Sequence, residues 1–271
     1  IIRDQAYGAY GYIVDEHGHE AVDNFRQADF TVNNVPPTVN GGDINLYGNA
    51  GPGSDLVVDV PGGETPSSTI TFRVRDANSC VNAASGPEIT DFVVSVFRSS
   101  LGTTTCDGSA GSYNPNNCYP SGVGAATWDL SCTATTTCSG PLQDDIEYLC
   151  EFPLWFVADP TDENGGLTPA AFAADNWSVG VAGVDDQFAT GTMATTTYAK
   201  ELQSFSSLDV LAADIAYGSL EPGDNTGSFN ATSTAINVGN TGLDQEVRGD
   251  SMCEDYTPST PCLPLSTSTI P

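Results

Sequence analysis

The chain is short of positive charge. Against 35 acidic side chains its 271 residues set six arginines and a single lysine, Lys200, for a net charge of −28. Such a surface repels phosphate backbones and anionic lipid and favours cations, which makes nucleic acid a poor partner. Histidine is scarce too: His17 and His19 are the only two, far in sequence from every cysteine, so no cysteine has an obvious general base. No apolar run reaches the length of a membrane-spanning helix. No CxxC, CxxCH or Cys/His cluster occurs, which removes the usual spacings of zinc, haem and thioredoxin chemistry. Helical periodicity is nearly absent, and its best candidates are 168–176 and 198–212. No signal peptide is recognisable; the first residues already read as strand, so a leader is expected to have been removed or to lie outside this stretch.

What is present is alternation. Residues 68–76, 89–99, 146–159, 176–185 and 227–240 alternate apolar and polar, each bounded by Gly, Pro, Asn or Asp. Period-two runs at this spacing predict an all-β protein of antiparallel β-sandwich domains. The inward faces are expected to carry Phe72, Val74, Phe92, Val94, Val96, Trp128, Trp155, Val157, Trp177, Val179 and Val181. Eight cysteines in a Thr/Ser-rich acidic chain read as four disulfides, and hence as an oxidising, extracellular compartment.

Two stretches look alike. Residues 7–39 and 177–199 each run from an aromatic-led strand ending in Val-Asp, through an acidic glycine-containing turn, to a Thr-bearing strand. Both read as the last hairpin of a sandwich domain. Residues 1–35 are therefore expected to close an upstream domain, with "NNVPPT" (33–38) as a stiff linker. A complete domain is expected over 38–197, with a disulfide-rich insertion at about 100–145, and a further, apparently incomplete one over 200–271.

The pieces "FTVNNVPPTV" (30–39), "TFRVRDANSC" (71–80), "VFRSS" (96–100), "NNCY" (116–119), "FVADPTD" (156–162) and the run from "LDV" (208–210) through "IAYGSLEPGD" (215–224) to "VGNTGLD" (238–244) carry a resemblance. Together they resemble the Ig-like tandem-domain surface proteins of candidate-phyla-radiation bacteria and some archaea. A weaker likeness joins "LEPGD" and "NVGNTGLD" to filament-forming jelly-roll subunits. The resemblance implies an extracellular, multi-domain, non-enzymatic array, and it carries over no catalytic residue.

Several side-chain sets could carry chemistry. Acidic turns hold Asp76 and Asn78, then Asp159, Asp162 and Glu163, then Asp185 and Asp186; turns offering carboxylates and carbonyls can bind Ca²⁺, though Asp and Asn also cap turns on their own backbone. His17 and His19, with Glu20, could hold Zn²⁺ or Cu²⁺, but Gly18 between them reads better as a solvated hairpin tip. Eight cysteines allow about 105 pairings. The pairing expected here is Cys80–Cys150 between core strands, with Cys106–Cys118, Cys132–Cys138 and Cys253–Cys262 as local links. Asn176-Trp177-Ser178 and Asn230-Ala231-Thr232 are glycosylation sequons. Acidic residues are numerous, but nothing in the sequence singles out a glycosidase pair, and no catalytic residue is assigned.

The function expected from these features is structural: a β-sandwich module of a cell-surface filament, sheath or surface layer. Its domains would be completed by strands of neighbouring copies in a homo-polymer, or of other surface proteins. The alternative is an adhesin or carbohydrate-binding module with Ca²⁺ at loop tips and Tyr113, Tyr119 and Trp128 as an exposed glycan-contacting surface.

Overall fold

The computed structural model describes residues 6–10, 16–17, 26–31, 34–77, 79–80, 88–107, 111–121, 128–137, 144–162, 167–211, 221 and 232–244. Among them the chain is all-β and its sheets are antiparallel; the one helical piece is a 3-10 turn at Gly41–Asp43. The strands in order are β1 (Ala6–Tyr10), β2 (Arg26–Thr31), β3 (Thr38–Val39), β4 (Asn45–Tyr47), β5 (Glu64–Arg75), β6 (Ile89–Arg98), β7 (Cys118–Pro120), β8 (Ser131–Ala134), β9 (Asp145–Trp155), β10 (Trp177–Asp185), β11 (Ala194–Thr195), β12 (Leu208–Val210) and β13 (Ala235–Asn237).

Two sheets share one core. The first runs β3-β5-β9-β8, with β4 also on β5; the second runs β11-β10-β6-β7. The four long strands, β5, β6, β9 and β10, fall on four of the alternating runs, because strict alternation gives each strand one apolar face to bury. From the first sheet Ile70, Phe72, Val74, Phe152 and Leu154 meet Val94, Val96, Val179 and Val181 of the second. Phe72 and Phe92 touch across the gap, ring centroids 5.3 Å apart. Of the expected core, Phe72, Val74, Val94, Val96, Trp128, Trp177, Val179 and Val181 are buried, and Phe92 and Trp155 pack at its margin. Val157 is half-buried. The hairpins β1–β2 and β12–β13 form separate two-stranded sheets.

β10 is buried on both faces. Its outward positions are small (Ser178, Gly180, Ala182), because loops cross there. A Cβ on Gly180 would sit 2.7 Å from Thr103 and 2.8 Å from the Met193 sulfur. Gly183 faces Val74 and Pro37 with no room for a methyl.

The helical expectations are not met. Residues 170–174 form turns closed by Phe172 N–H to Pro169 O, 2.8 Å. The segment 196–203 is extended and stitches the two sheets together. Lys200 exchanges both backbone bonds with Trp177, Leu56 N–H donates to Glu201 O at 2.8 Å, and Gln203 N–H donates to Leu56 O at 3.0 Å. Tertiary pairing outweighs the local helix propensity of Ala, Lys, Glu and Leu here. Leu202 is fully buried in the main core.

The crosslinks differ from the expected set in one essential respect. Cys106–Cys118 forms as expected. Cys150 bonds Cys132, however, and not Cys80, so Cys132 does not pair with Cys138. Cys132 and Cys150 are register partners on β8 and β9, Cα atoms 4.0 Å apart, and directly opposed side chains in an antiparallel pair lie closest. Cys80 is fully buried and disulfide-bonded to a partner outside the described residues. Cys138, Cys253 and Cys262 also lie outside them. Cys106 and Cys118 join Phe97 and Leu101 in a small second core on the outer face of β6, so the polar insertion is ordered by a crosslink and two apolar side chains.

Candidate functional site

The acidic turns place their carboxylates on donors of the chain itself. The buried Asp185 accepts from the Gln187 and Ala189 N–H groups at 2.9 and 2.8 Å, and from Asn34 Nδ2 at 2.5 Å. It thereby shapes the turn after β10, where Phe188 takes a left-handed backbone (φ 63°). Asp186 is exposed. Asp162 accepts from the Thr168 and Ser204 hydroxyls. Asp76 is buried at the end of β5, and its backbone carbonyl accepts from Ser79 N–H at 2.9 Å. Asn78 and Glu163 lie outside the described residues. Among the described residues no three His, Cys, Asp or Glu side chains come together as a metal-ligand group. Asp162 and Asp185 accept from donors of the chain itself, the turn-capping role that the acidic pattern also allowed.

Asp159 belongs to a network that the sequence did not announce. Its carboxylate meets Arg98 Nε at 3.2 Å, and the side chains of Asn117 and Asn116 hydrogen-bond to it. Its backbone N–H donates to Asn116 O at 2.7 Å, and its carbonyl accepts the Trp177 indole N–H at 3.0 Å. Arg98 Nη1 binds Asp175, whose carboxylate also accepts from the Ser99 and Ser100 hydroxyls. The guanidinium carbon stands 4.3 Å from the Phe172 ring centroid, a cation–π contact. One cation thus serves two carboxylates, all three largely withdrawn from water. Burial pushes the Asp159 carboxyl above its ordinary range, while Arg98 and the two asparagines pull it back. The group ties the end of β6 to the segments around 116, 159 and 175.

The aromatic residues expected as an exposed contact surface are core instead. Tyr119 is 1% exposed and Trp128 8% exposed, while Tyr113 is half-buried against Tyr119. Tyr119 Oη donates to Pro115 O at 2.5 Å and accepts from Trp155 N–H at 3.1 Å. Burial raises its phenol far out of the titrating range. Tyr119 also packs against Trp128 and Trp177. Their large rings fill the gap between sheets, and the polar tips find partners there. Glu16 and His17 sit in an exposed turn, with Oε1 and Nδ1 4.0 Å apart; His19 and Glu20 lie outside the described residues. Asn176 is half-buried and Ser178 buried in β10, so the sequon is folded into the sheet; Asn230 lies outside the described residues.

Among the described residues a groove lies on the outer side of β4. Alternation puts Asn45 and Tyr47 outward while Leu46 enters the core. The extended segment after β11 brings Tyr198 beside Asn45, in a parallel bridge, and Lys200 beyond it. The loop 48–55 supplies the far wall through Pro52 and Gly53; Gly51 and Gly53 take left-handed conformations (φ 102° and 93°) that admit the tight turn. The cavity measures about 440 Å³. A second hollow of about 180 Å³ shares Asn45 and Thr71 and continues to Asp43, Arg73 and Glu147. Arg73 is engaged by Asp145 and Glu147 at 3.1 Å each. Lys200 Nζ donates to Gly53 O at 2.8 Å. Burial raises the Tyr47 phenol. Sequence reasoning missed this groove; the usable signals were Asn45 and Tyr47 on one strand face and the isolated Lys200.

No known protein family model matches the chain, and no curated protein matches it.

Proposed function

We propose that the chain is an extracellular structural module, a run of tandem Ig-like β-sandwich units in a cell-surface filament, sheath or surface layer. The observation that carries this is the way both connectors of the central two-sheet body are fastened to it. On one side Asn34 bonds the buried Asp185, and Pro37 is buried against Gly183. On the other, the Asn240 side chain brackets the strand-like segment before β12, accepting from Phe205 N–H at 2.6 Å and donating to Gln203 O at 3.1 Å. Gly62 N–H reaches Val238 O at 2.9 Å. Flexible tethers between independent binding modules have little use for such bonds. Units that must keep a fixed angle along an array do.

Completion by a neighbour's strand, in this reading, would use an exposed sheet edge. The sheet edges at β7 and β11 are two or three residues long, which discourages pairing. β8 ends its sheet with four residues that are mostly exposed, followed by Thr135 still bonded to β9. An added strand would gain main-chain hydrogen bonds along that edge. The test is negative-stain microscopy of native material with antibody labelling of this chain. Labelled filaments, sheaths or lattices are expected; a label found solely on dispersed monomers overturns the proposal.

A further inference from the structure

We propose that the groove beside β4 binds a neutral oligosaccharide, with sugar faces on Tyr198 and Tyr47 and hydroxyls on Asn45, Thr71 and Lys200. This goes beyond the assembly role and does not depend on it.

Ring availability comes first. Most large aromatics of the body are spent inside, yet Tyr198 is 53% exposed and Tyr47 half-buried, both lining one concavity. A pyranose ring has an apolar C–H face that packs on an aromatic ring, and tyrosine also offers a polar tip. The volume of about 440 Å³ lies within the range of small-molecule clefts. Extended by the neighbouring hollow, it forms a track along β4 rather than a closed pocket, which suits a chain of sugars entering from either end.

The polar groups select the charge class. Arg73 is already neutralised by two carboxylates. Lys200 gives one of its three N–H donors to Gly53 O and retains two. Asp43 and Glu147 stand at the far end of the track, in a chain of net charge −28, so an anionic polymer meets repulsion. A neutral polyol needs mixed donors and acceptors; Asn45 Nδ2 donates to Thr71 Oγ1 at 3.4 Å, which leaves the Asn45 Oδ1, the Thr71 hydroxyl proton and two Lys200 N–H groups to offer along the groove wall. The contacts proposed here need no divalent ion, so binding that survives EDTA separates this site from a calcium-dependent one.

The experiment is a titration of the full chain, by calorimetry and by NMR shift mapping, with cellohexaose, chitohexaose and mannohexaose. Alginate serves as the anionic arm, and all runs are repeated in EDTA. At least one neutral hexasaccharide is expected to bind equally with and without EDTA. Tyr198→Ala should weaken it about tenfold or more, whereas Tyr198→Phe, which keeps the ring face, should stay within about threefold. Lys200→Met should weaken it several-fold, and Leu167→Ala, at an exposed position away from the groove, should leave it unchanged. Binding by none of the neutral probes, binding of alginate alone, or binding indifferent to Tyr198→Ala overturns the proposal. Native filaments could still be found in that case, so this failure and failure of the assembly role are distinguishable.

Discussion

Replacing Arg98 by methionine keeps the stem and removes the charge. It strands Asp159 and Asp175, whose side chains are 11% and 15% exposed, and it removes the cation over Phe172. Breaking a fully buried ion pair costs about 3–5 kcal/mol. Here each carboxylate keeps a little water and hydroxyl or asparagine partners, so the lower end applies: about 3 kcal/mol, or a fall in Tm of roughly 6–12 °C for a body of this size. The sign of the pH dependence follows from Asp159. Its folded pKa is raised by burial, so the folded state holds the proton more tightly than the unfolded chain does. The stability this contributes is full below the unfolded pKa and is lost as pH rises through the folded one. Without Arg98 the carboxyl rises further, because a group that pulled it down is gone. The gap in stability between Arg98→Met and wild type should therefore shrink on acidification from about pH 7 to about pH 5. The triple variant Arg98→Met, Asp159→Asn, Asp175→Asn should recover to within about 1 kcal/mol of wild type at neutral pH, since neutral amides leave no stranded charge. Guanidinium unfolding at several pH values measures all three. A cost for Arg98→Met below about 1 kcal/mol, or a gap that widens on acidification, would refute the reasoning.

Three further outcomes are expected. Peptide mapping without reduction should recover Cys132 linked to Cys150; replacing both by serine should cost about 3 kcal/mol for a loop with sequence separation 18, read by chemical unfolding. Tyr119→Phe should cost about 1–2 kcal/mol, because Trp155 N–H and Pro115 C=O lose their shared partner in a dry site, and a differential melting scan detects it. Chelation by EDTA should leave the melting temperature of the intact protein unmoved, because the turn carboxylates bind chain donors; a clear drop would reinstate a bound cation.

The long strands were legible because the pleat imposes its period on any sequence: Phe72 and Val74, or Val179 and Val181, point inward whatever they meet. The acidic turns were legible as turns, and Asp185 shows why one pattern supports two readings. A carboxylate two and four residues before free N–H groups caps them as readily as it would bind an ion. Tyr119 misled because a polar, glycine-rich neighbourhood looks exposed, whereas the cysteine-linked insertion returns it to the gap between sheets beside Trp128, which the alternation had also placed inward. The groove was hidden because its walls come from β4, the loop after it, and a segment about 150 residues later in the chain.

By itself, then, the sequence determined an acidic, crosslinked, all-β chain and the inward face of its main strands, because composition and two-residue periodicity are local properties of the backbone. Only the tertiary structure decided that Cys150 faces Cys132, that Arg98 answers a carboxylate 77 residues away, and that Tyr47 and Tyr198 share one wall. Those partners depend on strand order and register. Both are fixed when two sheets close over a common core, and neither leaves a mark on any short stretch of chain.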